Sequence, residues 1–381
     1  MLRLTPTRAL SRLSRPVSRA LSTLGSSTSI LNTHDNPPRI RPVPHPTSPP
    51  LPPCCRPFFS AGPPPPSASV APLVPFRTHP STSPTTPTAH VFFHAPDSTW
   101  TYLVVDPSPS SRKCAVIDSV LDFDPLTNTV STETADALLA FVEQEGLEVV
   151  RILETHAHAD HLTAAYYLQQ RLPNRPPVGI SSGIRATQDY FAGVYELDEQ
   201  ARQELEDAFD ELYEDGQEVE VGTLKGKVMQ LPGHTSCSAA FQFGDYVFVG
   251  DTIFLPSLGT ARADFPSGSA HSLYLSSQTL LSLPPSTRLF VGHNYPDRPE
   301  DNYCSATVAE QRELNRHLGQ GVGEEEYVRM REERDRKLDE PRLLHQSLQV
   351  NIRGGRLPRG KDGKPYFRLP IKVKGEADGL L

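Results

Sequence analysis

Residues 155–161 read Thr-His-Ala-His-Ala-Asp-His, and this short stretch decides the fold. It follows the apolar run at residues 149–153, which predicts a buried strand. Neutral imidazole and carboxylate groups together suit Zn²⁺ or Fe²⁺. The stretch therefore predicts a metal site at the carboxyl end of a strand. Its candidate ligands are His156, His158, Asp160 and His161.

Three later positions end apolar runs in the same way. They are His234 after residues 229–233, Asp251 after residues 247–250 and His293 after residues 289–292, each directly preceded by glycine. Taken singly, such residues are more often core histidines, turn aspartates or surface histidines. In this order after the first cluster they indicate a shared metal site, because strands hold ligands rigidly and glycine permits a tight turn.

The amino-terminal quarter of the chain differs in composition from the rest. Residues 1–34 contain five arginines and neither Asp nor Glu, which predicts a mitochondrial transit peptide; a disordered basic tail is the alternative. Residues 37–87 hold 19 of the 39 prolines, so a disordered linker is predicted over residues 35–88. The catalytic domain is predicted over residues 89–374. No apolar run is long enough for a membrane span.

Charge and cysteine content narrow the class of protein further. The net charge is −8, which argues against a nucleic-acid partner. The five cysteines show no zinc-knuckle or oxidoreductase spacing, so a disulfide framework is not expected. Both the leader and the cysteines predict a reducing compartment, the mitochondrial matrix.

Hydrophobic periodicity predicts an α+β protein. Strands are predicted at residues 90–93, 100–105, 114–118, 149–153, 219–221, 228–231, 239–243, 246–249 and 289–291, and helices at residues 132–145, 162–172, 199–213 and 324–338. Two halves of strands plus helix follow one another. This order predicts two sheets packed face to face between helices.

Several motifs together resemble one known family. They are residues 155–161 (THAHADH), 231–235 (LPGHT), 248–252 (FVGDT), 259–265 (GTARADF), 291–295 (VGHNY) and 307–312 (TVAEQR). The chain resembles the metallo-β-lactamase superfamily and, within it, persulfide dioxygenases of the ethylmalonic-encephalopathy protein type and the bacterial β-lactamase-hydrolase-like branch. The resemblance implies an αββα sandwich of two mixed sheets flanked by helices.

The resemblance also implies a cofactor and its ligands. It implies one Fe(II) per chain, held by His156, His234 and Asp251, with zinc as the alternative. Two histidines and one carboxylate leave coordination positions open for substrate and O₂. The other candidates orient ligands and water in the dioxygenases and form a second metal site in hydrolase relatives; they are His158, Asp160, His161 and His293.

The implied reaction converts glutathione persulfide, O₂ and water into sulfite and glutathione, as in mitochondrial sulfide catabolism. By resemblance, Arg262 binds glutathione, because a guanidinium suits a carboxylate, and Tyr295 lies at the substrate pocket. The alternatives are a salt bridge between Arg262 and Asp264 and a packed aromatic ring at Tyr295. A homodimer is implied in the same way.

Two other functions remain open at this point. A glyoxalase-II-like hydroxyacyl-glutathione thioester hydrolase would use the same ligand residues around a dinuclear metal site. A metal-free binding module would show lost ligands, and every ligand position is occupied here.

Overall fold

The structure is a computed structural model that describes residues 71–296, 298 and 302–373. Its strands are β1 (Arg77–His79), β2 (Thr88–His94), β3 (Thr99–Val105), β4 (Lys113–Ile117), β5 (Val120–Asp124), β6 (Thr129–Ser131), β7 (Glu148–Leu153), β8 (Leu162–Thr163), β9 (Val178–Ser181), β10 (Glu211–Tyr213), β11 (Glu218–Val221), β12 (Leu224–Gln230), β13 (Ala239–Phe243), β14 (Tyr246–Gly250), β15 (Arg288–Val291) and β16 (Ser305–Thr307). Its helices are α1 (Glu133–Gln144), α2 (Ala165–Arg171), α3 (Ile184–Val194), α4 (Glu199–Glu206), α5 (Ala270–Leu281), α6 (Val308–Leu314), α7 (Glu324–Asp335) and α8 (Leu344–Asn351).

The first sheet has seven strands in the order β1-β2-β3-β4-β7-β9-β10. The first four form an antiparallel meander, and β4, β7, β9 and β10 run parallel. Because successive side chains of a strand point to opposite faces, Tyr102 and Val104 of β3 pack in the core between the sheets. Leu103 packs on the other face with residues of α1, α2 and α8.

The second sheet has six strands in the order β11-β12-β13-β14-β15-β16. The strands predicted at residues 239–243 and 246–249 are confirmed as β13 and β14, which pair antiparallel up to Phe243 and Tyr246 across a two-residue turn. β14 and β15 run parallel, and α5 forms the crossover between them. A small third sheet has the order β6-β5-β8. The predicted α+β sandwich of two mixed sheets with flanking helices is therefore confirmed.

The folded part starts earlier than predicted. β1 lies inside the predicted linker and pairs with β2, and the Phe76 ring meets the buried Trp100 ring edge-on with centroids 5.3 Å apart. This strand has only three residues and lies between prolines, so the hydrophobic periodicity of the sequence did not predict it. The predicted transit peptide, residues 1–34, lies outside the described residues. Within the described ranges, no helix is long and apolar enough to cross a bilayer.

Two predicted helices are too long. The helix predicted over residues 199–213 ends at Glu206, and the last three residues form β10, which pairs parallel with β9. The helix predicted over residues 162–172 begins at Ala165, because Leu162 and Thr163 pair with β5. In both places a short strand is formed by tertiary pairing, which overrides the local preference of the sequence.

Candidate metal centre

The candidate ligands follow the carboxyl ends of strands. His156 lies three residues after β7, and Asp251 follows β14 directly. His293 lies two residues after β15. The ends of parallel neighbours meet at one edge of a sheet, and a backbone bridge between Thr99 and His293 joins the two sheets there. The fold thus brings the separate sequence motifs to one place.

The side chains of His156, His234 and Asp251 surround a common point. The Nε2 atoms of His156 and His234 each lie 3.8 Å from Oδ2 of Asp251. One ligand atom from each residue lies within 4.8 Å of the others, and all three residues are buried. One ion can therefore contact all three.

Hydrogen bonds to protein groups orient the imidazoles of His156 and His234. The hydroxyl of Thr155 donates to Oδ2 of Asp118 at 2.8 Å, so it accepts a hydrogen bond from Nδ1 of His156 at 3.0 Å. Nδ1 of His234 donates to the carbonyl oxygen of Arg262 at 2.8 Å. Nδ1 is therefore the donor in both rings, which turns each Nε2 toward the common point, the orientation that metal ligands require.

The surroundings of His156 favour a ligand. Burial, followed by repulsion from His158, holds the pKa of His156 well below its ordinary value, so the ring is neutral. Nε2 of His156 is buried, yet no hydrogen-bond partner for it exists among the described residues. Buried polar atoms nearly always have a partner. The donor set therefore fits a metal ion.

His158 lies in a different environment from its neighbour. Its Nε2 atom is 3.1 Å from Oδ1 of Asp118 and 3.4 Å from Oε2 of Glu154. Burial opposes its charge, but the two carboxylates hold the pKa of His158 well above its ordinary value. The ring is thus a buried cation whose Nε2 hydrogen is already used.

His293 and Asp160 form a second pair at the site. Nε2 of His293 is 3.3 Å from Oδ2 of Asp160 and 3.4 Å from Oδ1 of Asp251, while its Nδ1 donates to the carbonyl oxygen of Ser98. Burial opposes its charge, but Asp251 and Asp160 raise the pKa of His293 to about 9. The structure therefore places the imidazole of His293 beside the carboxylate that also faces His156 and His234.

A second group of three ligand atoms is also present. His158, Asp160 and His161 each offer one atom within 4.8 Å of the others. Burial, followed by repulsion from His158, lowers the pKa of His161 to about 4, so its ring is neutral. Nε2 of His158 is bound by two carboxylates, so this group could hold another ion only if His158 gave up the proton on its Nδ1 atom.

Two glycines allow the loops to approach this closely. Gly250 has φ +50°, and a Cβ atom there would lie 2.3 Å from Oγ1 of Thr155. A Cβ atom on Gly292 would lie 2.3 Å from Oδ1 of Asp251. Any larger residue would displace a group that forms the site.

A cavity of about 500 Å³ opens onto the centre. Asp160, His234, Asp251 and His293 line its floor. Apolar and basic residues line its walls; they include Phe254, Leu258, Phe265, Arg262, Tyr295, Arg331, Arg334, Leu338 and Arg342. The volume suits a small organic ligand.

The two predicted substrate residues both line this cavity. The Arg262 guanidinium forms two hydrogen bonds with the Asp264 carboxylate, at 2.6 and 2.7 Å, and a third with the carbonyl oxygen of Asp339. Tyr295 is 58% exposed, and its ring stacks on His293. The salt-bridge alternative for Arg262 is therefore present in the structure.

Several residues of the site were not predicted from the sequence. Asp118 and Glu154 bind His158, and the side-chain amide of Asn351 donates to the carbonyl oxygens of His158 and His161, both at 2.8 Å. Asp118 ends an apolar strand just as the ligands do, and that signal could have identified it. Nothing local marks Asn351, which reaches the site from α8.

The site is a buried cluster of histidine and aspartate side chains where the edges of the two sheets meet. Such a cluster in an αββα sandwich is typical of metal-binding proteins, and it indicates an enzyme. The chain belongs to the metallo-beta-lactamase superfamily, whose family model matches residues 94–293. This membership confirms the resemblance inferred from the motifs.

Curated relatives carry several names. A "Beta-lactamase hydrolase-like protein" of Xylella fastidiosa is 44% identical over 76% of this chain and 65% of its own length, so the chain spans less than two thirds of that relative. "Glyoxylase B2" of Dictyostelium discoideum is 39% identical over 74% of this chain and 96% of its length. Human "Persulfide dioxygenase ETHE1, mitochondrial" is 28% identical over 69% of this chain and 87% of its own length.

Among solved structures, ETHE1 from Myxococcus xanthus superposes with a TM-score of 0.55 at 28% identity, covering 70% of this chain and 99% of that one. The comparison with these relatives contradicts the predicted location in the mitochondrial matrix, so that prediction is wrong. The matching proteins of Xylella fastidiosa and Agrobacterium fabrum are bacterial, and bacteria have no mitochondria.

Proposed function

We propose that the protein is an iron-dependent persulfide dioxygenase. It would convert glutathione persulfide, O₂ and water into glutathione, sulfite and two protons. One observation carries the proposal: the imidazoles of His156 and His234 and the Asp251 carboxylate face one point beside an open cavity. Two histidines and one carboxylate are the ligand set of non-haem Fe(II) oxygenases.

The roles of the residues follow from their contacts. Iron bound by His156, His234 and Asp251 would supply the redox chemistry that oxidises the outer sulfur with O₂. Nε2 of His293 lies 3.4 Å from Oδ1 of Asp251 and 3.3 Å from Oδ2 of Asp160 at the cavity floor. We assign to it the proton that the departing glutathione sulfur takes up. The aromatic rings of Phe254 and Phe265 limit water around the sulfur.

Oxygen consumption tests the proposal directly. The full-length chain, loaded with Fe(II) without air, is mixed with glutathione persulfide while O₂ and sulfite are measured together. The expected result is one sulfite formed for each O₂ consumed. His271→Ala is a matched control, because His271 is exposed, pairs with Glu324 and does not line the cavity. No oxygen uptake by protein with confirmed iron would contradict the proposal.

The second candidate is a glutathione thioester hydrolase with two metal ions. It is favoured by the second group of ligand atoms at His158, Asp160 and His161 and by the relative named Glyoxylase B2. Metal content distinguishes the candidates, since the dioxygenase needs one ion per chain and the hydrolase two. The same iron-loaded sample is also assayed for cleavage of a glutathione thioester.

A further inference from the structure

One wall of the cavity carries four guanidinium groups, and they differ in what balances their charge. The groups belong to Arg262, Arg331, Arg334 and Arg342. Arg331 is almost completely buried, and its Nε atom lies 3.0 Å from each carboxylate oxygen of Asp335. Arg262 is bound by Asp264. These two arginines are neutralised by the protein itself.

Arg334 has no such partner. Within the described part of the chain, no carboxylate lies within 4.0 Å of its guanidinium and no hydrogen bond engages it. Partial burial, followed by repulsion from Arg331 and Arg316, lowers its pKa. Asp335 offsets only part of this repulsion, so an exposed cation beside other cations leaves a net positive potential at this side of the cavity.

Arg342 is only weakly balanced. Its guanidinium lies 3.9 Å from Oδ1 of Asp97, and 66% of its side chain is exposed. The other oxygen of Asp97 is 3.1 Å from Nδ1 of His94, so that carboxylate is shared between two cations. Arg342 therefore keeps much of its charge available to a ligand.

We propose that Arg334 and Arg342 form an anion subsite that binds a carboxylate of the substrate, at the end remote from the reacting sulfur. Leu338 and Pro341 line the same wall, so methylene groups of a peptide-like thiol pack beside the two arginines. The inference rests on the proposed function for the sulfur end of the ligand. The carboxylate end follows from the charges of the wall alone.

The ordinary alternative is that Arg334 is one more solvated surface arginine. Arg329 lies on the same helix and is exposed, but it does not line this cavity. Arg329→Gln therefore removes the same charge from the same helix outside the subsite. It is the matched control for Arg334→Gln and Arg342→Gln.

Calorimetric titration of the metal-loaded full-length chain tests the subsite without turnover. The probes are glutathione and glutathione diethyl ester, which share the thiol but differ in their carboxylates. Arg334→Gln is expected to weaken glutathione binding about 10-fold, the size of one charge-assisted hydrogen bond. Arg342→Gln has a smaller effect, and Arg334→Lys restores part of the affinity. Salt weakens binding of glutathione and leaves the ester unaffected.

Each outcome decides for or against the subsite. Equal affinities of glutathione and its ester, or equal effects of Arg334→Gln and Arg329→Gln, overturn it. Lost binding with retained far-ultraviolet circular dichroism supports it. An absence of oxygen uptake together with carboxylate-dependent binding would overturn the dioxygenase and leave the subsite standing.

Discussion

The floor and the wall of the cavity are built in opposite ways. The floor consists of residues that follow strands, are buried and are held by hydrogen bonds, such as His234 and His293. The wall around α7 carries long basic side chains, and Arg334 and Arg342 project from it with little support. The residues proposed for the reaction and those proposed for substrate binding lie on different elements of the fold. A substitution should therefore be able to change turnover without changing binding, or the reverse.

The largest expected effect breaks the floor. Asp251→Asn removes the charge that faces the Nε2 atoms of His156 and His234 at 3.8 Å. Turnover should fall by roughly 10⁴-fold, as for other residues that act as a unit, and the metal content should fall with it. Metal analysis and the sulfite rate measure both. Full metal content with normal turnover in this variant would remove Asp251 from the centre.

The next effect breaks the wall and spares the floor. Asp335→Asn leaves Arg331 buried without its carboxylate. Losing one partner of a buried ion pair should lower the free energy of unfolding by about 3–5 kcal/mol. Urea denaturation measures this loss, while metal content should stay unchanged. The exposed neighbour Glu332→Gln is the control, and equal stabilities of the two variants would contradict the expectation.

The smallest effect concerns His94, the last residue of β2. Burial opposes the charge of His94, but Asp122 and Asp97 raise its pKa to about 9 from 6.5. The stabilisation is therefore complete below pH 6.5 and is lost as the pH rises through about 9. The free energy of unfolding should decrease by about 1–2 kcal/mol over that window, allowing for partial solvent screening.

Chemical denaturation across this pH range measures the effect. His94→Gln should flatten the pH dependence while lowering stability below pH 6.5. An unchanged slope in this variant would show that other groups carry the pH dependence.

The floor could be predicted from the sequence, whereas the wall could not. His234, Asp251 and His293 each follow an apolar run, and that pattern is local. The strand pairing around them was equally local, as in the β13–β14 hairpin. Local patterns therefore identified the sandwich and the residues that its sheets bring together.

The remaining features depend on contacts between distant parts of the chain. Asn351 bonds to carbonyl groups 193 and 190 residues earlier. The helix α7 was predicted, but its packing against α5 and the resulting position of Arg334 in the cavity were not. Periodicity shows that a helix exists, yet it does not show which cavity the helix borders.

Asp118 gives the centre a further property. This residue adopts φ +54°, and its carboxylate accepts hydrogen bonds from the backbone and the hydroxyl of Thr155 and contacts His158. Asp118 thereby orients the imidazole of His156 through the Thr155 hydroxyl, with no contribution from an ion. We therefore expect a chelator to remove the ion without unfolding the protein. Which metal ion the site binds in the cell then depends on the availability of each metal as much as on its affinity.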